Sequence, residues 1–440
     1  MMRIRISGHG ALAAALWACL LAAPRQAPAQ VRTWVGGNLE QMVEGARWRL
    51  GALRVNAAFN LANAGYDSDI YYGFRSAPTP DVTASASLPL QVILPLSKKV
   101  VIDVTDAPRY SFFLDAADQR SWNNVLDGRL HVALNRIYVQ AGGGMSNVRR
   151  RLSPELELNV RQKANRVNGL VLWQASETTS LALLYNGAQF SYGDVFIDGR
   201  SIADRLNRNE EFVDLIGYVQ PSPRVRLSLD GQYGSYEFRR SGPEFRDAAS
   251  YAFFASAEFI PDISIGDLEL PRELRGTVAL GYMMLDMKDP GRQDGSGLVG
   301  EATVSARLSR RMSGQVFFSR GFQFSIYSGS SHYLATTMGA GLSRHLSRKA
   351  SLSYNFTYGL TTYPGLDVRS DPNRYYRYLT HTLRLGLRLA RHMDVSFYGS
   401  FGQRQRGGAE TLRDRYFGGL SLTYGFVGGG MSAPSRGGVR

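Results

Sequence analysis

Alternation of apolar and polar residues with a period of two is the strongest pattern in the chain. In Ser351–Leu360 (S-L-S-Y-N-F-T-Y-G-L), every second residue is leucine, tyrosine or phenylalanine, and serine, asparagine, threonine or glycine lies between. Leu298–Leu308 and Thr380–Leu389 follow a similar alternation. Because successive side chains of a strand point to opposite faces, this pattern predicts strands with one face in an apolar medium.

Short and long connections between these strands alternate along the chain. Three similar short turns are Leu308–Met312 (L-S-R-R-M), Leu346–Ala350 (L-S-R-K-A) and Leu389–Met393 (L-A-R-H-M). Longer polar segments, such as Asp194–Arg208 and Tyr363–Tyr375, connect the opposite strand ends. Barrels of the outer membrane have short periplasmic turns and longer extracellular loops, so the alternation favours this architecture.

The length of the predicted strands also points to a membrane. Many of them span about ten to sixteen residues, whereas strands of soluble sheets have a mode of about five or six. Backbone groups in lipid require a closed sheet. We therefore predict an all-β fold, a transmembrane up-and-down antiparallel β-barrel of about eighteen strands over residues 47–427, with the first strand at 48–60. Sixteen strands also fit the pattern, and a large soluble sandwich or propeller is the alternative that strand length disfavours.

The two ends of the chain lie outside the predicted barrel. Residues 1–29 have the pattern of a secretory signal peptide, with Arg3 and Arg5, an apolar Ala11–Ala23, and the small-residue site Ala27-Pro28-Ala29. A lipoprotein acylated at Cys19 is the alternative. Residues 30–46 are predicted to be a polar periplasmic lead-in without a clear period, and residues 428–440 a polar tail. Export through a cleavable signal predicts a location in the bacterial outer membrane.

Composition excludes several functional classes. Lys and Arg number 51 against 37 Asp and Glu, but no cluster of basic residues forms a stripe that would bind nucleic acid. Cys19 is the only cysteine and lies in the predicted signal peptide, so the mature chain has no disulfide and no thiolate metal site.

Three segments near the start of the predicted barrel are informative, namely Leu50–Phe59, Tyr66–Ile70 (Y-D-S-D-I) after it, and the Asp81-Val82 pair that opens the second strand. With them, the region from Trp48 to Phe426 resembles the beta-barrel porin 2 type of outer-membrane porins, which are often encoded beside exopolysaccharide export systems. The repeated L-S-R-R and L-S-R-K turns strengthen the resemblance, whereas Asp69 stands where the family tends to have asparagine. The resemblance implies an outer-membrane pore or scaffold that is linked to polysaccharide secretion, and it supplies no catalytic residues. The partners that we expect are outer-membrane lipid, the barrel assembly machinery and polysaccharide export components, without nucleic acid.

Charged residues at alternate strand positions are candidates for the inner wall of the pore. By phase, we assign to the lumen Arg54, Glu157, Arg161, Lys163, Arg226, Asp230, Glu301, Arg307, Arg384 and Arg388. An excess of guanidinium groups would favour anionic solutes or an acidic glycan, since charged rings set pore selectivity. The simpler interpretation is that these side chains solvate a water-filled interior and pair with the acids among them.

Catalytic and metal-binding patterns are weak. His332 adjoins Ser330 and Ser331, but no G-x-S-x-G element occurs in a strand-to-helix setting, so no enzyme is predicted. The acidic stretches Asp286–Asp294 and Asp367–Asp371 lack the spacing of a Ca²⁺ loop. We therefore expect no metal and no cofactor.

Two functions remain open from the sequence. The first is a passive pore or export conduit for exopolysaccharide or anionic solutes, which arginine-lined inward faces would favour. The second is a non-conducting structural or adhesive barrel whose extracellular loops bind partners, which loops folded across the lumen would favour.

Overall fold

The computed structural model shows a single antiparallel sheet that closes on itself as a barrel of eighteen wall strands. The prediction of about eighteen strands is confirmed. The structure describes residues 35–72, 77–151, 153, 155, 158–193, 195–197, 200–239, 246–259, 274–327, 330–363, 376–406 and 412–425. The predicted signal peptide, the C-terminal tail, Glu157 and the acidic stretch Asp367–Asp371 lie outside these residues.

Two wall strands near the N-terminus are each interrupted once. The second consists of β3 (Asp81–Ser87) and β4 (Leu90–Pro95), and the third of β5 (Val100–Asp106) and β6 (Arg109–Phe113). Pro89 and Pro108 lie at the two breaks, where proline cannot donate a backbone hydrogen bond to the ladder.

The remaining wall strands are continuous and pair with their neighbours in chain order. They are β2 (Leu53–Asp67), β7 (Ser121–Ala133), β8 (Ile137–Arg150), β9 (Val160–Gln174), β10 (Thr179–Tyr192), β13 (Arg208–Ser222), β14 (Val225–Phe238), β15 (Ala248–Phe259), β16 (Arg275–Met287), β17 (Gly295–Ser309), β18 (Met312–Phe324), β19 (His332–His345), β20 (Ala350–Thr362), β21 (Tyr376–Ala390), β22 (Met393–Arg406) and β23 (Leu412–Gly425). A 3-10 turn (Ala117–Gln119) precedes β7, and a two-stranded ribbon, β11 (Phe196–Ile197) with β12 (Arg200–Ser201), leads into the short helix α2 (Ile202–Leu206).

The barrel closes where β2 pairs with β23, over Ala58–Leu61 and Ala64–Asp67. Below this junction, the short strand β1 (Trp48–Leu50) pairs with the start of β2. A bulge at Asn63, with φ of 53°, shifts the register between the two paired stretches of β2. The predicted end of this strand at residue 60 is wrong, because the bulge interrupts the alternation while the strand continues to Asp67.

The short turns follow the predicted pattern at one end of the barrel. In three of them a serine hydroxyl accepts a backbone N–H two residues later, Lys99 to Ser97 at 3.2 Å, Thr178 to Ser176 at 3.3 Å and Lys349 to Ser347 at 3.1 Å. By the rule for outer-membrane barrels this is the periplasmic end. The opposite, extracellular end has the longer connections, including those after β2, β8 and β10.

The predicted lead-in contains a helix, α1 (Val35–Glu44). Leu39 is buried with Ile93 and Val101 of the wall, and Met42 and Val43 pack on the same cluster. Ile93 and Val101 face inward, so α1 lies against the inner wall near the periplasmic opening. The expectation of a segment without a period was wrong, because Leu39, Met42 and Val43 have helical spacing. Among the described residues, no helix has the length and apolar character needed to cross a bilayer.

Candidate functional site, the inward face of the barrel

The pleat of the wall assigns each strand residue to the inward or the outward face. Leu298 (70% exposed), Val316 (56%) and Leu383 (53%) mark the outward face, and residues paired across strands share a face. On that basis, seven of the predicted residues lie on the inward face, namely Arg54, Arg226, Asp230, Glu301, Arg307, Arg384 and Arg388. Glu157 is outside the described residues. That these side chains line a conducting pore stays a prediction.

Arg161 and Lys163 lie on the opposite, outward face. They share the phase of Val167, Val171 and Trp173 in β9, which are large exposed apolar residues. The assignment of Arg161 and Lys163 to the lumen is therefore corrected. Both residues lie near the extracellular end of β9, where the wall extends beyond the hydrocarbon, so a charge on the outer surface is tolerated there.

Some inward charges neutralise one another. Arg226 donates to Glu258 at 2.8 Å, and Arg388 approaches Asp394 at 3.4 Å. The guanidinium carbon of Arg384 lies 5.3 Å from the ring centroid of Tyr398, in the range of a cation–π interaction. The simpler interpretation of a self-compensating interior thus holds for part of the wall.

Further inward arginines were missed from the sequence. They are Arg109, Arg129, Arg150, Arg166, Arg208, Arg275, Arg404, Arg413 and Arg415. The inward acids are Asp67, Asp81, Asp103, Asp127, Glu210, Asp214, Asp230, Glu258, Glu301 and Asp394. Arginine is therefore in excess on the described inner wall. The signal that could have found these residues was their phase relative to neighbouring large apolar side chains.

A chamber of about 480 Å³ lies in the extracellular half of the barrel, against the wall from β21 through β2 to β9. Its basic lining residues on the inward side are Arg109, Arg150, Arg151 and Arg415; Arg149 borders it at the rim, although pairing with Arg161 gives it the outward phase. Among its described lining residues, Asp67 is the one acid, and it accepts a hydrogen bond from Arg415 Nε at 2.8 Å. Arg109 is exposed and makes no hydrogen bond or ion pair with a described residue.

The segment after β2 covers this chamber. Arg151 and Arg404 both donate to the backbone carbonyl of Tyr72, at 3.1 and 2.9 Å. Burial raises the pKa of the Tyr72 hydroxyl above its ordinary value, so this group stays neutral at physiological pH. The arrangement offers an incoming anion guanidinium groups in a partly enclosed space, where such interactions are stronger than in bulk water.

The end of the β18–β19 hairpin crosses the lumen. Pairing of β18 with β17 stops at Arg320, whereas β18 stays paired with β19 as far as Phe324. Phe322 then packs in one buried cluster with Met283 and Val299, which are inward residues of β16 and β17. Arg320 still pairs with Gly300 and keeps the outward phase, whereas Phe322, beyond the last pair with β17, turns to the inward side.

The tip of this hairpin reaches the far wall. Ile326 is buried in a cluster with Val160 at the start of β9 and with Ile202 and Leu206 of α2. Because β9 lies seven wall strands from β18, the tip spans the extracellular half of the barrel. We name Ser325–Tyr327 together with α2 the constriction.

One buried carboxylate holds the constriction. Glu155 accepts hydrogen bonds from Ser325 Oγ at 2.7 Å, from Ile326 N at 2.8 Å and from Tyr363 Oη at 2.5 Å. Arg246 is fully buried beside it and donates to the Ser325 carbonyl at 2.7 Å. Burial raises the pKa of Glu155, an effect that the hydrogen bonds and the Arg246 charge oppose. No sequence pattern indicated this set, because its members come from four distant segments.

The serine–histidine neighbours at the hairpin end do not form a catalytic triad in the described structure. Ser331 Oγ lies 2.9 Å from His332 Nδ1, and both residues are buried. His332 Nε2 has no hydrogen-bond partner among the described residues, so no acid orients the ring. That the chain is not an enzyme stays a prediction, which membership of a porin family would favour.

The acidic stretch Asp286–Asp294 uses its carboxylates within its own loop. Asp289 accepts from the Gly291 backbone at 3.0 Å and Asp294 from the Met287 backbone at 2.8 Å. Within the described part of the chain, no group of three or more acidic, histidine or cysteine side chains is arranged to hold a metal ion.

The closed barrel, its inward polar face and its family match define the class of protein. The family model described as "Putative beta-barrel porin 2" matches residues 99–404. The protein is an outer-membrane β-barrel of the porin type. The chain belongs to the beta-barrel porin 2 family, as its resemblance in sequence predicted, and no curated protein matches it.

Solved structures of outer-membrane channels show a general similarity. The outer-membrane protein opdK of Pseudomonas aeruginosa has 11% identity and a TM-score of 0.49, over 84% of this chain and 98% of that chain. OccK2 (OpdF) of the same organism, in complex with glucuronate, has 13% identity and a TM-score of 0.49 over the same shares. OccAB2 of Acinetobacter baumannii has 8% identity and a TM-score of 0.47, again over 84% and 98%. Similarity at this level carries no inference about the cargo of this chain.

Proposed function

We propose that this barrel is a passive pore that prefers anions and is narrowed by the constriction. The observation that carries the proposal is the arginine-rich chamber, in which Arg109 is exposed and makes no contact with a described acid. Rings of basic side chains select anions because they lower the electrostatic cost of bringing negative charge into the pore. Guanidinium groups also bind carboxylate and phosphate through two parallel hydrogen bonds.

The proposed cargo is an anionic solute or an acidic exopolysaccharide. The excess of arginine on the inward wall supports the negative charge of the cargo, and the resemblance in sequence supports the link to polysaccharide export. Polysaccharide export components and the barrel assembly machinery are the proposed partners. We also propose that residues 1–29 are removed on export, which N-terminal sequencing of the membrane-inserted protein would test.

A second function is favoured by the constriction itself. Since Ile326 and its neighbours pack across the lumen, a barrel that conducts nothing and binds partners through its extracellular loops is the competing proposal. The two differ in one measurable property, which is ion flow through the folded barrel.

Planar-bilayer recording with a salt gradient separates these functions. For the pore, we expect stable channels whose reversal potential leans toward the anion. Arg109→Gln should reduce the anion-to-cation permeability ratio by about twofold, because one lumen charge is removed. Arg344→Gln is the matched control, since Arg344 is exposed on the outward face near the periplasmic rim and should leave the ratio unchanged.

Acidic and neutral glycans added to the bath probe the cargo. Block of the channel current by the acidic glycan and not by the neutral one would support the proposed cargo class. This block should be weaker in Arg109→Gln. Correctly folded barrels that never conduct would refute the pore and support the loop-binding function.

A further inference from the structure

Three cations lie on the outward side of the β6–β9 sector near the extracellular rim, and they belong to no part of the proposed pore. Arg161 and Lys163 are on the outward face of β9, and Arg120 lies just before β7. The guanidinium carbon of Arg120 lies 4.8 Å from the ring centroid of Phe112, which has the outward phase of β6. We name Arg120, Arg161 and Lys163 the basic rim.

Aromatic side chains fix the height of the basic rim on the barrel. Trp122 is 67% exposed on the outward face, and its ring centroid lies 5.0 Å from that of Tyr110. Arg161 donates to the Trp122 carbonyl at 3.4 Å and to Asn147 Oδ1 at 2.9 Å, so its guanidinium lies beside this pair. Exposed aromatic residues of a membrane barrel concentrate at the level of the lipid headgroups. The basic rim therefore faces the headgroups of the outer leaflet.

The basic rim has no acidic partner among the described residues. Arg120 donates to the carbonyls of Phe113 and Leu114, at 2.8 and 2.9 Å, and Arg161 to a carbonyl and an amide. Lys163 is exposed and makes no hydrogen bond or ion pair with a described residue. The nearby acids Asp115 and Asp118 are exposed in the loop above and make no ion pair with these cations. Arg161 and Lys163 lie two residues apart on one face of β9, and such like charges repel each other unless an anion screens them.

We propose that the basic rim binds the phosphate groups of lipid A, the phosphorylated glycolipid of the outer leaflet. The outward position of the basic rim favours a lipid over a solute of the pore. At headgroup height the outward face meets lipid, and the wall separates it from the lumen. Charge complementarity selects phosphate, which guanidinium groups bind through paired hydrogen bonds. The exposed ring of Trp122 and the Tyr110 ring below it form an apolar surface for the sugar and the first part of an acyl chain.

Binding of purified lipid A to the detergent-solubilised barrel tests this proposal. The variant combines Arg120→Gln, Arg161→Gln and Lys163→Gln, and native mass spectrometry counts bound lipid A. We expect the original protein to keep lipid A and the variant to bind it at least about tenfold more weakly, since three basic residues that attract a lipid surface are removed. Heat-modifiable migration on gels checks that both barrels are folded.

A control variant at the other rim shows whether position matters. Arg344→Gln combined with Arg348→Gln removes two exposed cations near the periplasmic end and should leave lipid A binding unchanged. Equal binding by the original protein and the triple variant would overturn the proposal, as would an equal loss in the control. Displacement of lipid A by millimolar inorganic phosphate would instead identify a site for a soluble anion and overturn the assignment to lipid.

Discussion

Glu155 and Ser325 are 170 residues apart in the chain, and their side chains form a hydrogen bond of 2.7 Å inside the barrel. Glu155 comes from the connection between β8 and β9, and Ser325 from the tip of the β18–β19 hairpin. The bond therefore joins two opposite sectors of the wall across the lumen. The buried carboxylate also accepts from Ile326 N and Tyr363 Oη, and Arg246 donates to the carbonyls of Ser325 and Tyr327, so both charged side chains attach the hairpin tip.

Replacing this carboxylate should release the hairpin. In Glu155→Ala the buried donors of Ser325, Ile326 and Tyr363 lose their acceptor, and each buried group left without a partner costs about 1–3 kcal/mol. We expect a rise in single-channel conductance of about twofold or more, measured in planar bilayers, as the tip leaves the lumen part of the time. Glu177→Ala is the control, since Glu177 is exposed in a periplasmic turn. Unchanged conductance in Glu155→Ala would show that the tip is held by its other contacts.

The same residue predicts a dependence on pH. Burial raises the pKa of Glu155, so the docked hairpin binds the proton more tightly than the undocked one. Docking is then fully favoured below the ordinary carboxyl pKa and weakens as the pH rises toward the raised value. Conductance should increase with pH over this window, and this dependence should be absent in Glu155→Ala, which has no titrating group at this position. An increase toward acid pH would contradict the direction of the shift.

A glycine in the wall, Gly276, should not tolerate substitution by a residue with a side chain. Gly276 in β16 has φ of 138°, and a Cβ there would collide with the backbone of Thr303. Gly276→Ala should lower the free energy of unfolding by at least about 2 kcal/mol, since both strain and a clash are added. Urea unfolding followed by tryptophan fluorescence measures the loss. Gly217→Ala is the matched control, because a Cβ at Gly217 meets no atom within 4 Å.

The attachment of α1 should depend on Leu39. This side chain is 6% exposed against Ile93 and Val101, and truncating a buried leucine costs about 2–5 kcal/mol. Leu39→Ala should therefore increase the rate of proteolytic cleavage in α1 about tenfold or more, measured on the refolded barrel. Glu40→Ala changes the exposed neighbour and should not alter the rate. Equal cleavage of the two variants would show that α1 is not held by this cluster.

The wall could be predicted from the sequence because its physics is local. Alternation in Ser351–Leu360 and the serine turn at Ser347 each depend on neighbouring residues alone, and both occur in the structure as predicted. The bulge at Asn63 was not predictable from alternation, because one inserted residue reverses the faces of all that follow. The helix α1 was missed, although the helical spacing of its apolar residues Leu39, Met42 and Val43 is present in the sequence.

The site was only partly predictable. Arg384 and Arg388 alternate with leucines and lie on the inward face, whereas Arg161 and Lys163 were assigned to the lumen although they share the outward phase of Trp173. A charged strand residue can be assigned to the lumen only at the height of the hydrocarbon core, because beyond it the outer surface of the wall also tolerates charge. The Glu155 attachment depends on residues that become neighbours after the barrel closes, so no single-sequence pattern contains it.

The junction between the first and last wall strands has a mechanical consequence. Within the described residues, the ladder of β2 with β23 is interrupted at the Asn63 bulge and reaches Ala58, and β1 pairs with the start of β2 below it. We expect a barrel under lateral tension to separate first at such an interrupted closing ladder. β1 covers the lower edge of β2 that a neighbouring chain would otherwise use to add itself to the sheet.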